Sequence, residues 1–404
     1  MLRALHVRDV RVSVIAPVRN DRLVDHASVQ ELLAAMQANE TPDGTRILRR
    51  FRAEMNTLGV SMDFVYWQMP RKWSQSFGPP GHRQWRSIPA HIADYAHWIA
   101  AELLFARGFG LRPAAVELTN EPDGGWNTFF TPRQYGELVL RTRRAMDENG
   151  LHGILIEGPG TSKVHSIGPY LAELISTGRL ALLGRVSVHD YDTIAFPAPA
   201  GLSGLPPGLQ SRLGTLPIFV TEFSSTRPEW RQPPYDTDLS ARGGAHSAAD
   251  SLPYAVSVAG EAVQLISDGA ASVYVWQLED PGWAHDSFGM LDVNGRARPV
   301  ATALASIFAT VPTGATVFPS SPRRAGLAAA AFARGGSLMV VLVNLSDAPR
   351  IVRLDLYAVA TGRAAVDTVT AFPAASAKPG RRYPPNADIP LPADSLVLLR
   401  TRAG

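Results

Sequence analysis

The chain has 404 residues, 46% of them hydrophobic and 19% charged, with a formal net charge of +3. That length suits one large domain with a smaller one beside it, and that balance suits an ordinary globular protein. Cysteine is absent, which excludes disulfides and thiolate metal centres, and no apolar run is long enough to span a bilayer.

The positive charge is almost all arginine, since Lys72, Lys163 and Lys378 are the only lysines. The arginines are scattered, with no basic block of the kind that tracks phosphates, so neither a nucleic acid nor a membrane is expected as partner. Residues Met1 to Val10 carry charges every few positions and no apolar core, so this stretch does not read as a signal peptide.

In chain order, Val10 to Pro17 is β-branched and reads as a strand. Ser28 with Glu31 forms a capping box ahead of a helix that carries Leu32, Leu33 and Met36. A second helical pattern covers about Thr45 to Leu58 and stops at Gly59. A strand, Ser61 to Met69, is followed by an aromatic loop with Trp73, Phe77 and Trp85. A helix from Pro89 presents Ile92, Tyr95, Ile99 and Leu103, and a short apolar run then ends in Asn120-Glu121-Pro122. Thr131-Pro132 caps and opens the next helix.

The strand Gly153 to Glu157 is expected to end at Gly158-Pro159-Gly160, and a helix near Pro169 to Ser176 leads to the strand Arg185 to Tyr191. A Pro/Gly-rich connection precedes the strand Ile218 to Phe223. A helix from about Ser251 to Asp268 leads to the strand Ala271 to Gln277. Strands alternating with helices at this spacing predict a parallel α/β architecture, a TIM (β/α)8 barrel over residues 1–309. Seven strands are counted, so the barrel either lacks its first strand or has it in irregular form. From about Thr310 the pattern changes to short alternating runs separated by Gly, Pro, Asn and Asp, which predicts an antiparallel β-sandwich over 310–404.

Two strands end in a glutamate, Glu121 after Leu-Thr-Asn and Glu222 after Phe-Val-Thr. A barrel gathers strand ends around one pocket. A retaining glycosidase needs two carboxyls about 5–5.5 Å apart, one protonated to serve as acid and one ionised to attack. Like charges that close disfavour double ionisation, which separates the two pKa values. Glu157 and Glu279 are rival strand-end carboxylates. His-Glu-x-x-His does not occur, no glycine-rich phosphate loop follows a strand, and neither a metal nor a cofactor is expected.

These residues resemble the clan A retaining glycoside hydrolases, most closely family 30, with families 39 and 5 behind it. The resemblance rests on Asn120-Glu121-Pro122, Val220-Thr221-Glu222-Phe223, Val188-His189-Asp190-Tyr191 and Val275-Trp276-Gln277. It extends to the segment Phe288 to Gly295 with Arg298-Pro299, and to Val341 to Ser346. It implies Glu121 as general acid/base, Glu222 as nucleophile and Asn120 as a hydrogen-bond partner of the sugar 2-hydroxyl. Tyr191 or His189 would hold Glu222, Trp276 would be the platform under the sugar, and Arg11 could match a clan A arginine near the nucleophile. Trp67 and Trp126 are further candidates to line the groove.

Plainer roles stand beside these: barrel core for Trp276, a satisfied core histidine for His189, a structural role for Arg11. The resemblance further implies an oligo- or polysaccharide as partner, a monomer, and an extracellular or periplasmic location, with a cytoplasmic one also compatible. The alternatives are a non-catalytic carbohydrate-binding barrel and an inactive, N-terminally truncated glycosidase.

Overall fold

The computed structural model describes residues 5–13, 23–79, 82–191, 194–195, 198–199, 212–225, 235–236, 246–280, 288–319, 326–354, 366–373, 379–384 and 387–401. Seven strands form one sheet in the order of the chain. They are β1 (Asp9–Ser13), β2 (Ser61–Val65), β3 (Ala115–Glu117), β4 (Leu155–Thr161), β5 (Arg185–Asp190), β6 (Ile218–Phe223) and β7 (Ser272–Val275). Where registers are resolved the neighbours are parallel, with Asp63 opposite both Arg11 and Ala115, and Glu157 opposite both Glu117 and Arg185. The helices α1 (Val29–Ala38), α2 (Pro42–Leu58), α3 (Ile92–Gly108), α4 (Pro132–Glu148), α5 (Ile167–Ser176) and α6 (Leu252–Ser267) lie between the strands in the chain. This is a TIM barrel with a C-terminal β-sandwich. Among the described residues no eighth strand joins the sheet.

Local chemistry explains the helix starts. Ser28 and Glu31 make the capping box of α1, and Thr131 and Gln134 make that of α4, with Pro132 at its first position. Helix α2 begins at Pro42, earlier than its apolar pattern shows, because Thr41 caps it by accepting from the Gly44 N–H. Helix α3 is buried along most of its length, with Tyr95, Ile99 and Leu103 inaccessible to solvent.

Three expectations are corrected. Strand β4 does not stop at Gly158-Pro159-Gly160 but runs through it to Thr161, because a bulge between Pro159 and Thr161 takes up Gly160 at φ 62°. Glu157 is therefore inside a strand, not at its end. The aromatic segment after β2 is a hairpin, with Ser74–Phe77 paired antiparallel to Gln84–Ser87. A helix, α7 (Pro299–Thr310), stands just before the sandwich where none was expected; Pro299 at its first turn and buried Val300, Leu304 and Ile307 are its signals. Positions 14–17 of the expected first strand, and Trp230 and Trp283, lie outside the described residues.

By internal contacts the chain divides into two compact units. One holds the described residues of Arg8–His189 and Gly204–Thr221; the other holds those of Met1–Val7, Asp190–Ser203 and Glu222–Gly404. The second unit contains β7, α6, α7 and the C-terminal strands. Those strands are β8 (Thr316–Pro319), β9 (Leu327–Arg334), β10 (Ser337–Asn344), β11 (Arg350–Arg353), β12 (Val366–Phe372), β13 (Arg382–Tyr383), β14 (Asp388–Leu391) and β15 (Ser395–Thr401).

Six of them form a sheet in the order β8-β9-β10-β15-β12-β13, and β11 pairs with β14. Leu338, Val340 and Leu342 pack with Val397, Leu399, Ile389 and Leu391, while Met339, Val341 and Val343 are buried on the other face of β10. Burial on both faces is why β10 reads as a continuous apolar run rather than an alternating one.

Strand β10 ends in Asn344, whose amide is fully used. Its Nδ2 donates to the carbonyls of Ala348 and Pro392 at 2.9 and 2.8 Å, and its Oδ1 accepts from the Ser346 hydroxyl at 2.7 Å. Nδ2 also reaches the buried Leu391 carbonyl at 3.3 Å, so Asn344→Ala would remove the donor from that carbonyl and from the partly buried Pro392 carbonyl, and we expect a loss of about 1–3 kcal/mol in unfolding free energy. Urea denaturation of the full chain measures it, and an unchanged midpoint would show that water replaces the amide.

Candidate active site

In the first unit the site is built from the ends of β1, β3 and β5. The hydrogen bonding of β3 continues past its last residue, since the Tyr66 N–H donates to the Glu117 carbonyl and the Asn120 N–H to that of Tyr66. Glu121 then takes φ 49°, a left-handed backbone that a non-glycine residue rarely adopts. The turn is fastened on several sides. The Glu121 N–H donates to the Gly160 carbonyl at 3.0 Å, the Gly124 N–H to the Glu121 carbonyl at 2.9 Å. Asp123 accepts from the Ser162 N–H and hydroxyl, and the Tyr170 hydroxyl reaches the Pro122 and Phe130 carbonyls.

The Glu121 carboxyl is held by two side chains. His189 Nδ1 lies 3.0 Å from its Oε1, and the Trp126 indole N–H donates to its Oε2. His189 is completely buried, while Trp126 is 54% exposed. Beneath this pair Arg11 Nη2 donates to Glu117 Oε1 at 2.6 Å and to Asn120 Oδ1 at 2.5 Å, and stands 3.5 Å from His189 Nε2. The Thr221 hydroxyl donates to Glu117 Oε2 at 3.0 Å. A second set of charged groups on this face joins Arg185 Nη1 to Asp63 at 2.8 Å and to Glu157 at 3.4 Å, with Asp9 beside Asp63.

In the second unit Glu222 follows Thr221 directly and is 4% exposed. The Tyr191 hydroxyl donates to Glu222 Oε2 at 2.8 Å. The Trp276 N–H donates to the Phe223 carbonyl at 2.8 Å, which sets β7 beside the end of β6, and the Trp276–Gln277 peptide is cis.

The two candidates for holding Glu222 are thus distinguished. Tyr191 bonds it, and His189 bonds Glu121. Trp276 and Trp67 are half-buried, neither sealed in the core nor fully open, and Trp73 is sealed, with its indole N–H donating to Asp25. Of the rival carboxylates, Glu279 is exposed and Glu157 is buried within β4. Burial pushes the Glu157 carboxyl well above the usual carboxylate range, and the charges of Asp63 and Glu117 push the same way. Glu117 was not singled out by sequence reasoning. Its signal was a lone carboxylate inside Ala-Val-Glu-Leu, four residues before Glu121, where a strand buried on both faces has no place for an unpaired charge.

Apart from the strand-end groups, Asp25, His91 and Asp94 bring potential ligand atoms within 4.8 Å of one another. Their lone pairs are already engaged: Asp25 accepts from Trp73 and pairs with Lys72 at 3.1 Å, while Asp94 accepts from the His26 N–H and contacts His91 Nδ1. This donor set closes the loop ahead of α1 on the hairpin and α3.

No family model matches the sequence, and no curated protein matches it. Solved structures do match by shape. The fold is similar to a family 30 endoxylanase from Clostridium papyrosolvens at a TM-score of 0.66 and 14% identity, covering 99% of this chain and 90% of that one. A family 30 subfamily 8 xylanase from Clostridium acetobutylicum gives 0.63 and 13%, covering 99% and 92%. An endo-β1,6-glucanase gives 0.64 and 13%, covering 98% and 83%. The chain therefore has the fold of the clan A, family 30 glycoside hydrolases. Identities this low carry the architecture alone.

The two buried carboxylates Glu157 and Glu117 are expected to respond in opposite ways to Gln. Glu117 neutralises Arg11, so Glu117→Gln leaves a buried guanidinium uncompensated and should cost about 3–5 kcal/mol. Glu157 has a folded pKa raised above its unfolded one. Its carboxyl therefore contributes stability that is full below the unfolded value and is lost as pH rises through the folded value. Glu157→Gln should change stability little below the unfolded carboxylate value and flatten its decline as pH rises above that value. Denaturant midpoints across a pH series read both, and a steeper decline with rising pH in Glu157→Gln would contradict the assignment.

Proposed function

We propose that the protein hydrolyses β-glycosidic bonds of an oligo- or polysaccharide with retention of configuration. The observation that carries this reading is the pair of strand-end glutamates, each engaged by its own set of donors, on a fold shared with glycoside hydrolases. Glu222 attacks the anomeric carbon while Glu121 protonates the departing oxygen. Glu121, now ionised, then takes the proton from the water that displaces Glu222 and restores both groups. The Tyr191 hydroxyl fixes the attacking orientation of Glu222. Asn120 lies at the 2-hydroxyl of the sugar, where its hydrogen bond strengthens toward the oxocarbenium-like transition state. Trp276, Trp67 and Trp126 offer flat apolar faces to sugar rings, whose own faces are apolar and whose rims hydrogen-bond.

The names of the similar structures point to xylan or β-glucan as the substrate class to try first. The division into a catalytic barrel, 1–309, and a sandwich, 310–404, belongs to the same proposal, as does action as a monomer outside the cytoplasm. No helix among the described residues is long and apolar enough to cross a membrane.

Incubation with activated 2-deoxy-2-fluoro β-glycosides of the xylo and gluco series is expected to leave a covalent sugar on Glu222, seen by peptide mass spectrometry. Glu222→Gln should lower kcat/KM by at least about 1,000-fold, or roughly 4 kcal/mol of barrier. Glu121→Gln should lose about 100- to 10,000-fold on substrates with poor leaving groups and much less on aryl glycosides with good ones. Label on a different carboxylate, or activity within tenfold of wild type in both variants, would discard the assignment.

A further inference from the structure

Trp126 is more than half exposed, so burial alone does not fix its ring. Two other features do. The indole N–H donates to Glu121 Oε2, and the ring folds back over Gly124. A Cβ at Gly124 would fall far inside contact distance of Cζ2, Cε2 and Cη2, at nearly the same distance from all three. The face of the ring, not its edge, therefore rests on this backbone. A Cβ at Gly125 would meet Gln84 Cβ at 2.6 Å and Phe77 Cζ at 3.0 Å. Neither glycine takes a left-handed φ, so what each supplies is close approach.

The hairpin after β2 carries this loop. The Trp85 N–H donates to the Gly125 carbonyl at 2.6 Å, the Phe129 N–H to the Trp85 carbonyl at 2.8 Å and the Ser87 N–H to the Phe129 carbonyl at 2.9 Å. Residues 125–129 thus line one edge of Gln84–Ser87, whose other edge pairs with Ser74–Phe77. The buried Thr128 hydroxyl accepts from the Met69 N–H at 3.2 Å, and the Phe130 N–H closes the base of the loop on the Pro122 carbonyl at 2.9 Å. We propose that Trp126, backed by this hairpin, is a positioning residue that holds the second oxygen of the Glu121 carboxyl, with Gly124 as the blank position that lets the indole down to it. An indole N–H only donates and does not titrate, so it orients a group that must both give and take a proton without exchanging one with it. The open face of the same ring borders the departing sugar, because Glu121 reaches the oxygen that leaves. A leaving-group sugar stacked there presses the indole onto Gly124, which ties recognition of that sugar to placement of the acid.

What the held carboxyl serves rests on the glycosidase reading above; the hold itself does not. The hold is tested by the indole 1H–15N resonance of Trp126 in the full chain labelled at tryptophan, assigned by its loss in Trp126→Phe. Glu121→Ala removes the acceptor, and Gly124→Ala leaves the carboxyl but denies the ring its seat. Both should move the resonance toward that of a free indole and speed its exchange with water. Trp126→Phe keeps a ring without the donor. It should lower kcat on an unactivated xylo- or gluco-oligosaccharide by about 10- to 100-fold with KM within about threefold, and lower kcat/KM less on an aryl glycoside with a good leaving group. Trp126→Ala should also raise KM for the oligosaccharide. Gly124→Ala should repeat the loss of Trp126→Phe, and adding it to Trp126→Phe should cost no more than about twofold further, since both act through one bond.

An indole resonance indifferent to both Glu121→Ala and Gly124→Ala overturns the proposal. So do losses in Trp126→Phe that are equal for good and poor leaving groups, or fully additive losses in the double variant, which a merely structural loop would give. A held indole in a protein that cleaves no glycoside would sink the glycosidase reading and leave the hold standing. A free indole in an active enzyme would sink this proposal alone.

Discussion

The interaction on which the rest depends is the contact of Arg11 with Glu117. Charged side chains crowd one face of the sheet: Asp9, Asp63, Glu117 and Glu157 against Arg11 and Arg185. Burying charge is tolerable only where it is paired and hydrogen-bonded. Arg11 is committed to Glu117 at 2.6 Å and Arg185 to Asp63 at 2.8 Å, which leaves Glu157 the remoter contact with Arg185 at 3.4 Å. Burial pushes the Glu157 carboxyl well above the usual carboxylate range, and the charges of Asp63 and Glu117 push the same way. Asp9 beside Asp63 is raised too, by burial first and then by the charge of Asp63.

That frame places its constraints on the backbone as well. Glu117 occupies the space a side chain at position 160 would need, and the bulge at Gly160 is what carries β4 past it. The carbonyl of the same Gly160 then accepts from the Glu121 N–H. The left-handed φ of Glu121 is a local cost of the order of 1–3 kcal/mol. Tyr170, Ser162 and the Gly124 N–H secure the turn from the outside. Strain is thus confined to the residue whose carboxyl has to leave the line of its strand.

Much of this was legible from the sequence where the signal was local. The seven strands follow from apolar runs between turn residues, and the starts of α1 and α4 follow from Ser28-x-x-Glu31 and Thr131-Pro132. The strand-end glutamates were visible because they break apolar runs. The failures were of two kinds. Gly158-Pro159-Gly160 has the composition of a terminator, and only the partner carboxylate across the bulge explains why a strand continues there. Helix α7 is short and rich in small residues, and its helical spacing rests on Val300, Leu304 and Ile307 alone, so it escapes notice in the sequence. Glu117 and the switch of His189 from one glutamate to the other were hidden for a third reason: both depend on which strands become neighbours, and Arg11, Glu117 and His189 are separated by more than a hundred and seventy positions end to end.

Solved structures at 13–14% identity share this architecture. Residues that pack can be swapped for others of similar volume. A buried guanidinium cannot be, because removing either partner leaves an uncompensated charge, and replacing both needs two changes at once. The polar frame under Glu121 is therefore the part of the barrel interior least free to drift. Trp126, by contrast, is more than half exposed and Trp67 is half-buried, so neither is under that constraint.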